Sequence, residues 1–350
     1  MLKQVNSHLN FMLTIFKALI LIALSSVSYV HAESVEPGKM VGGKDSTLPD
    51  WFKDSFLDIT EDLDEATESG KHLLLYMHLR GCPYCYKMVE EGFKNSTNTE
   101  IIKSDFDVVA INIRGNNEVT LNEDLVVTED EVRDHFKVNF TPTIVFLDQN
   151  NQLVHKVNGY RSPETFRYIL DFVRTESYLS MNLSAFIEKQ KRKIHYTLRD
   201  HESFQSIVDL ESNSDTPLLV LFEDKYCELC DQLHDGHLKS PEVNELLKQF
   251  NVVRLDTESE QTIIAVDGVT TTPREYARRL DITYRPSIVM FDEGEEVLRI
   301  DTMLYSYHFA GHLRYIGGRH YQQYPESVYE YLRVYRQDIL DSGQDIDLSK

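Results

Sequence analysis

Four cysteines, arranged as two CxxC pairs, carry the most specific chemistry in this chain of 350 residues. The first pair reads CPYC at Cys82 and Cys85, and the second reads CELC at Cys227 and Cys230. Two cysteines at this spacing can form a reversible disulfide or contribute to a metal site. A structural staple explains them less well, because a CxxC bridge closes a very short loop and stabilises little. The pairs therefore indicate redox or metal chemistry.

The sequence around each pair repeats, and the repeat predicts the elements that position the cysteines. Short aliphatic runs, HLLLYMH and PLLVLFE, precede the two motifs and predict buried strands. Pro142 follows Cys82 by 60 residues and Pro286 follows Cys227 by 59, and each opens a segment that reads as strand, turn and strand. Helical segments that begin with Ser-Pro alternate with these strands. The pattern predicts an α/β fold in which each half has a mixed central sheet flanked by helices.

The length of the repeat suits two domains better than a solenoid. We expect domains over residues 50–176 and 200–342, a linker over 177–199 and a C-terminal tail over 343–350.

The first 32 residues predict a signal peptide. Lys3 and Lys17 precede the apolar run ALILIAL, and VHA at residues 30–32 has the small residues of a cleavage site. The alternative is an uncleaved membrane anchor. Cleavage would leave a flexible segment over 33–49 and an exported or periplasmic protein, in a compartment where disulfides persist.

The charge balance argues against a nucleic-acid partner. Lys and Arg number 36 against 57 Asp and Glu, which gives a net charge of −21. Binding to nucleic acid requires a basic surface, so we expect none.

The cysteine motifs and their surroundings resemble the thioredoxin superfamily. The stretch LLLYMHLRGCPYCYKMVEE, followed by FTPTIVFLDQNNQLVHKVNGY, is similar to the periplasmic thioredoxins linked to sulfur oxidation (SoxW-like). The dipeptide inside CPYC is the one typical of glutaredoxins. The resemblance implies two tandem thioredoxin-like domains with redox-active disulfides Cys82–Cys85 and Cys227–Cys230. It also implies protein thiol or disulfide substrates, a membrane thiol as electron donor and no small-molecule cofactor.

The resemblance also implies roles for individual residues. Cys82 would lie at a helix N-terminus, where the dipole favours its thiolate, and would act as nucleophile. Cys85 would then attack the mixed disulfide. Pro142 would be a cis-proline that faces the disulfide, with the Thr141 backbone pairing with an extended substrate. The expected substrate-binding residues are Pro83, Tyr84, Thr141, Pro142, Arg285 and Pro286.

The second copy departs from the family pattern and leaves alternatives open. Glu228 beside Cys227 should raise the pKa of that thiol, so this half is a second redox centre or a substrate-binding domain. A metal site is the rival interpretation, with Cys227, Cys230, His234 and His237 at helical spacing. Thioredoxin itself has a buried acid six residues before its first cysteine, and here Tyr76 and Leu221 occupy those positions.

The leading functional hypothesis is an exported thiol–disulfide oxidoreductase that reduces protein disulfides. The alternatives are a disulfide isomerase or oxidase, and a non-catalytic thioredoxin-like module for binding or metal transfer. Reductase, oxidase and isomerase share these residues and differ in reduction potential and partners.

Overall fold

The computed structural model describes residues 36–190, 192–211, 215–325 and 328–350. The predicted signal peptide lies outside the described residues. No helix within the described ranges has the length and apolar composition that crossing a bilayer requires.

The first half of the chain builds one mixed sheet and the helices around it. In chain order its elements are β1 (Met40–Val41), α1 (Ile59–Glu68), β2 (His72–His78), α2 (Pro83–Lys87), α3 (Thr99–Asp105), β3 (Phe106–Asn112), β4 (Glu118–Asn122), β5 (Leu125–Thr128), α4 (Glu129–His135), β6 (Thr143–Leu147), β7 (Leu153–Asn158), α5 (Pro163–Arg174) and α6 (Leu183–Glu188). A π-helical segment, Met88–Lys94, continues α2.

The second half repeats this plan. Its elements are β8 (Leu218–Glu223), α7 (Cys230–Asp235), α8 (Pro241–Leu247), β9 (Asn251–Asp256), β10 (Ile263–Ile264), β11 (Thr270–Thr271), α9 (Pro273–Arg279), β12 (Ser287–Asp292), β13 (Glu295–Ile300), α10 (Ser306–Gly317), α11 (Val328–Asp341) and β14 (Ile346–Asp347).

The two four-stranded sheets have the same topology. Their orders are β3-β2-β6-β7 and β9-β8-β12-β13. The central strands β2 and β8 each run parallel to one neighbour and antiparallel to the other. All residues of β2 between its two terminal histidines are buried, which explains why the strand reads as a continuous aliphatic run. The predicted α/β class with two thioredoxin-like halves is confirmed.

Side-chain caps begin the helices where the sequence predicts them. The Ser162 hydroxyl accepts a hydrogen bond from the Thr165 amide at the start of α5, and Pro163 occupies the first helical position. Ser240 caps α8 in the same way, because its hydroxyl accepts from the Val243 amide. Both caps satisfy amides that the helix itself leaves unpaired.

The two ends of the described chain pair with each other. We expected a flexible segment over 33–49 and a tail over 343–350. Within these segments the structure places β1 and β14, which form a parallel pair with Met40 opposite Ile346. The Ile346 amide donates to the Lys39 carbonyl at 2.9 Å, and the Leu348 amide donates to the Val41 carbonyl at 2.9 Å. Short-range sequence patterns carry no signal for a pair so distant along the chain.

The two halves also meet at Gly159 and Arg161. Gly159 has a φ of +72°, and a Cβ there would lie 2.2 Å from the Thr302 hydroxyl oxygen of the second half. The buried Arg161 guanidinium lies 4.4 Å from the centre of the Tyr284 ring. The contact at Gly159 therefore depends on the absence of a side chain.

Gly159→Ala should destabilise the protein more than Gly294→Ala, its matched control. Gly294 has a φ of +84° and nothing within 4 Å of its Cβ position. The control should lose about 1–2 kcal/mol of unfolding free energy, from the left-handed backbone alone. Gly159→Ala should lose about 1–3 kcal/mol more, because its methyl group collides with Thr302. Urea denaturation measures both values, and equal losses would contradict the close contact.

Candidate functional site

Cys82 and Cys85 form a disulfide at the start of α2. Their Cα atoms are 5.2 Å apart. Cys82 is the N-cap residue of α2, and the Cys85 amide donates to the Cys82 sulfur at 3.0 Å. Cys82 is 8% exposed, whereas Cys85 is fully buried, so Cys82 is the sulfur that a substrate can reach. An amide that points at Cys82 favours its thiolate over its thiol.

Thr141 and Pro142 face Cys82 from the loop before β6. The Thr141–Pro142 peptide bond is cis, as the resemblance implies. The Cys82 sulfur lies 3.5 Å from the Thr141 hydroxyl oxygen and 3.6 Å from the Thr141 carbonyl oxygen. In the reduced protein, the Thr141 hydroxyl is placed to donate to the Cys82 thiolate. Thr141 is also hydrogen-bonded to Tyr329 of α11.

Tyr84 joins the CPYC motif to the second half of the chain. Its hydroxyl accepts a hydrogen bond from the Tyr305 amide. Its ring stacks on the Tyr305 ring with centroids 4.5 Å apart, and the His308 ring lies 5.8 Å away. Burial raises the pKa of Tyr84. Tyr84, which we expected to bind substrate, therefore contacts Tyr305 and His308 of the second half.

Tyr76 fills the position of the acid that thioredoxin buries beneath its disulfide. Its hydroxyl donates to the Cys85 carbonyl at 3.1 Å. Burial raises the pKa of Tyr76 far above neutrality. Tyr76 therefore supports the backbone of α2 and does not exchange a proton with the cysteines near pH 7.

A cavity of about 340 Å³ lies in front of Cys82. Its walls include the CPYC turn, the Thr141 loop, α10, α11 and the paired chain ends. The basic residues in the walls are Arg80, Arg114, His308, His312, Arg333 and Arg336. The sequence patterns did not identify α11 as part of this wall. No local signal placed α11 beside Cys82, because that contact depends on how the two halves pack.

The two histidines of the cavity are uncharged at neutral pH. Burial lowers the pKa of His308 to about 3 and the pKa of His312 to about 4. The His312 ring stacks on Phe140 at 5.2 Å, and its Nδ1 lies 2.6 Å from the His308 carbonyl oxygen. The positive charge of the cavity at pH 7 therefore comes from its arginines.

The second disulfide, Cys227–Cys230, differs from the first in its surroundings. Its Cα atoms are 5.6 Å apart. Cys227 is 2% exposed, Cys230 is fully buried, and Tyr196 packs against both. Leu229, and not Cys227, is the N-cap of α7. Cys227 therefore lacks the helix N-terminal position that favours a thiolate at Cys82.

The structure gives Cys227, Cys230, His234 and His237 other partners than a shared metal ion. Both sulfurs are in the disulfide, and α7 covers only Cys230–Asp235. His234 Nε2 lies 2.9 Å from the buried Glu223 carboxylate, and His237 Nε2 lies 2.7 Å from the Leu304 carbonyl oxygen. The helical spacing on which the prediction rested ends at Gly236, so the four side chains do not converge.

The Arg285 side chain is engaged by partners within the second half of the protein. Its guanidinium donates to the Asp224 carboxylate at 3.0 Å and to the Thr257 hydroxyl at 3.1 Å. Asp224 is 1% exposed, and the Arg285 guanidinium lowers its pKa against the opposing effect of burial. The Arg285–Pro286 bond is cis, like its counterpart in the first half. Arg285 thus neutralises a buried carboxylate.

The stability of the protein should fall in acid because of the buried histidines. His312 ordinarily titrates near pH 6.5, so between pH 6.5 and about 4 the unfolded chain binds a proton that the folded chain does not. Above pH 6.5 the protonation of His312 costs the folded protein no stability. As the pH falls from 6.5 towards 4, the free energy of unfolding falls. Each such histidine adds about 1.4 kcal/mol per pH unit to the slope. Urea denaturation between pH 7 and pH 5 should give a steeper loss for wild type than for His312→Phe, and equal slopes would contradict the burial of a neutral His312.

Two segments, residues 59–174 and 204–317, match the thioredoxin-like domain family. No curated protein matches the chain. Among solved structures, the chain is similar to a thioredoxin-fold protein from Helicobacter pylori, with 20% identity over 46% of this chain and 94% of that chain and a TM-score of 0.31. It is also similar to a thioredoxin from Thermus thermophilus, with 23% identity over 33% of this chain and 83% of that chain and a TM-score of 0.28.

The first two thioredoxin domains of Saccharomyces cerevisiae Eps1p are similar over both halves. The identity is 13%, over 74% of this chain and 94% of that chain, with a TM-score of 0.25. Because the two matched segments make up most of the sequence, the chain belongs to the thioredoxin-like domain family and carries two copies of that domain.

Proposed function

We propose that this protein is an exported thiol–disulfide oxidoreductase whose reactive pair is Cys82 and Cys85. The observation that carries the proposal is the setting of the Cys82 sulfur. Cys82 is the most exposed of the four cysteines, it caps α2, and its sulfur lies 3.5 Å from the Thr141 hydroxyl oxygen. Each of these features favours a reactive thiolate at Cys82.

The reaction proceeds by two exchanges. In the reduced protein, the Cys82 thiolate attacks one sulfur of a substrate disulfide, forms a mixed disulfide and releases the first substrate thiolate. Cys85 then loses its proton to solvent or to the departing thiolate and attacks the Cys82 sulfur. This step closes the Cys82–Cys85 disulfide and releases the second substrate thiol. Two electrons pass from the protein dithiol to the substrate.

We assign the reductive direction to this cycle. The resemblance of the GCPYC segment and its surroundings to the periplasmic thioredoxins linked to sulfur oxidation supports that direction. An external dithiol must then reduce Cys82–Cys85 after each turnover, and we propose that a membrane thiol protein supplies these electrons. Export, the membrane donor and protein disulfides as substrates are parts of this proposal.

The second pair is proposed as a slower redox centre. Both of its sulfurs are buried, and Tyr196 packs over them. The Glu228 carboxylate beside Cys227 accepts a hydrogen bond from the Ser162 hydroxyl at 2.6 Å, which holds a negative charge near this thiol. A nearby negative charge disfavours the thiolate. We therefore expect exchange at Cys227 to be slower than at Cys82.

Substitutions of the cysteines should separate the roles. Cys82→Ser should abolish reduction of bis(2-hydroxyethyl) disulfide with dithiothreitol as electron donor, a loss of at least about a hundredfold, because it removes the nucleophile. Cys85→Ser should accumulate a mixed disulfide at Cys82, detectable by mass spectrometry. Cys227→Ser, the matched control, should retain most of the activity.

Two outcomes would contradict this assignment. Activity that survives in Cys82→Ser would remove Cys82 from the mechanism. The reduction potential of the pair tests the direction, since a value near about −270 mV fits a reductase and a value near about −120 mV fits a disulfide donor.

A further inference from the structure

The cavity in front of Cys82 is basic in a protein that is strongly acidic overall. The chain carries 57 acidic and 36 basic residues. Yet none of the described residues that line the cavity is Asp or Glu, whereas four are arginines: Arg80, Arg114, Arg333 and Arg336. A surface drawn at random from this composition would contain more acids than bases. The walls therefore concentrate positive charge beside the reactive sulfur.

Most of these arginines are left without an anionic partner. Arg333 is paired with Glu330 at 3.0 Å. Within the described ranges, Arg80, Arg114 and Arg336 make no ion pair. Arg80 and Arg114 are exposed to solvent and Arg336 is half-buried, so their guanidinium groups are free to pair with a carboxylate that enters the cavity.

The arginines come from three separate parts of the fold. Arg80 precedes the CPYC motif, and Arg114 follows β3. Arg333 and Arg336 lie three residues apart on α11, so they share one face of that helix. Only the packing of α11 against the first half brings these groups to the same cavity. The positive charge of the cavity therefore arises only when the two halves pack together.

The size of the cavity fits a small molecule. Pockets for small ligands occupy roughly 300–1,000 Å³, and this one measures about 340 Å³. Cys82 and Thr141 both lie in its wall. The Tyr329 side chain is hydrogen-bonded to the Thr141 side chain, so α11 lies against the loop at which an extended protein segment would add as a strand. A compact substrate needs less of that space to reach the Cys82 sulfur.

We propose that the substrate of Cys82 is a small disulfide that carries carboxylates, held by the arginines of this cavity. The inference rests on the thiol–disulfide exchange proposed above, but it departs from that proposal in the substrate, which is a low-molecular-weight anion in place of a protein disulfide. A carboxylate of the substrate pairs with an arginine of the cavity. This ion pair holds the substrate's disulfide bond in the cavity, whose wall contains Cys82.

The same two exchange steps conserve atoms and electrons for a small disulfide RS–SR. The Cys82 thiolate attacks RS–SR, the bond between Cys82 and one RS group forms, and the other group leaves as RS⁻. Cys85 attacks the Cys82 sulfur, and the second RS⁻ leaves and takes a proton from solvent. The protein dithiol is oxidised and the small disulfide is reduced to two thiols. The external dithiol proposed above restores the protein dithiol.

The test compares disulfides of different charge. The full-length protein is reduced, freed of reductant and mixed with oxidised glutathione (net anionic), bis(2-hydroxyethyl) disulfide (neutral) or cystamine (cationic). Acid quenching, alkylation and mass spectrometry then give the rate constant for oxidation of Cys82–Cys85 by each. We expect the anionic disulfide to react about tenfold faster than the cationic one at low ionic strength, and the preference to shrink with salt.

Charge reversal in the cavity identifies the residues responsible. Arg336→Glu and Arg114→Glu should each lower the anionic-to-neutral rate ratio by about tenfold. Lys248→Glu makes the same charge change at an exposed residue that does not line the cavity, and should leave the ratio within about twofold. Because the neutral disulfide is measured on the same sample, a general loss of folding or of thiol reactivity cancels in the ratio.

The outcomes distinguish this inference from the function on which it rests. The inference is overturned if wild type shows no preference for the anionic disulfide, or if Lys248→Glu lowers the ratio as much as Arg336→Glu. It is also overturned if the disulfides of insulin oxidise the dithiol as fast as glutathione disulfide and the arginine variants leave that rate unchanged. If no disulfide oxidises Cys82–Cys85 faster than it oxidises Cys227–Cys230, the proposed function fails first.

Discussion

The packing of Tyr84 against Tyr305 is the contact on which the arrangement of the reactive site depends. Tyr84 belongs to the CPYC motif, and Tyr305 immediately precedes α10 in the second half. The contact between these two rings is part of a larger apolar cluster. Cys82, Tyr84, Cys85 and Phe140 belong to the same buried apolar cluster as the core of the second half, including Phe309, Leu313 and Tyr331. The face of the first domain that carries the disulfide is therefore part of the second domain's core.

This shared core sets what can approach Cys82. The family resemblance implied that an extended chain binds the surface beside the cis-proline, at Thr141. Here α10, α11 and the paired chain ends cover that surface and leave a cavity. Burial of apolar surface at roughly 25 cal/mol per Å² makes such a cover stable once it has formed. The chemistry of the CxxC motif is preserved, and its access is restricted to what the cavity admits.

The sequence predicted the parts of this structure that depend on local patterns. The aliphatic runs became the central strands β2 and β8, and the Ser-Pro signals at Ser162 and Ser240 became helix caps. The family resemblance implied that Pro142 faces the disulfide, and Thr141, which precedes Pro142, does lie beside the Cys82 sulfur.

The features that the sequence analysis did not anticipate have a common physical cause. The metal interpretation assumed one straight helix from Cys227 to His237, but α7 begins at Cys230 and ends before Gly236. The Arg285 guanidinium pairs with buried Asp224, a residue distant in the sequence. The pairing of β1 with β14 and the position of α11 depend on contacts between residues that are far apart in the chain. Periodicity and spacing describe neighbours in sequence, so they do not report such contacts.

The central claim is that the second half and the chain ends enclose Cys82. The most direct measurement is alkylation of the reduced protein by two reagents, iodoacetamide and a maleimide attached to a long poly(ethylene glycol) chain, with the sites assigned by mass spectrometry. The account predicts that iodoacetamide modifies Cys82 in the folded protein, whereas the polymer reagent modifies it only after urea has opened the structure. Modification of Cys82 by the polymer reagent in the folded protein, at the rate shown by an unfolded cysteine peptide, would contradict it.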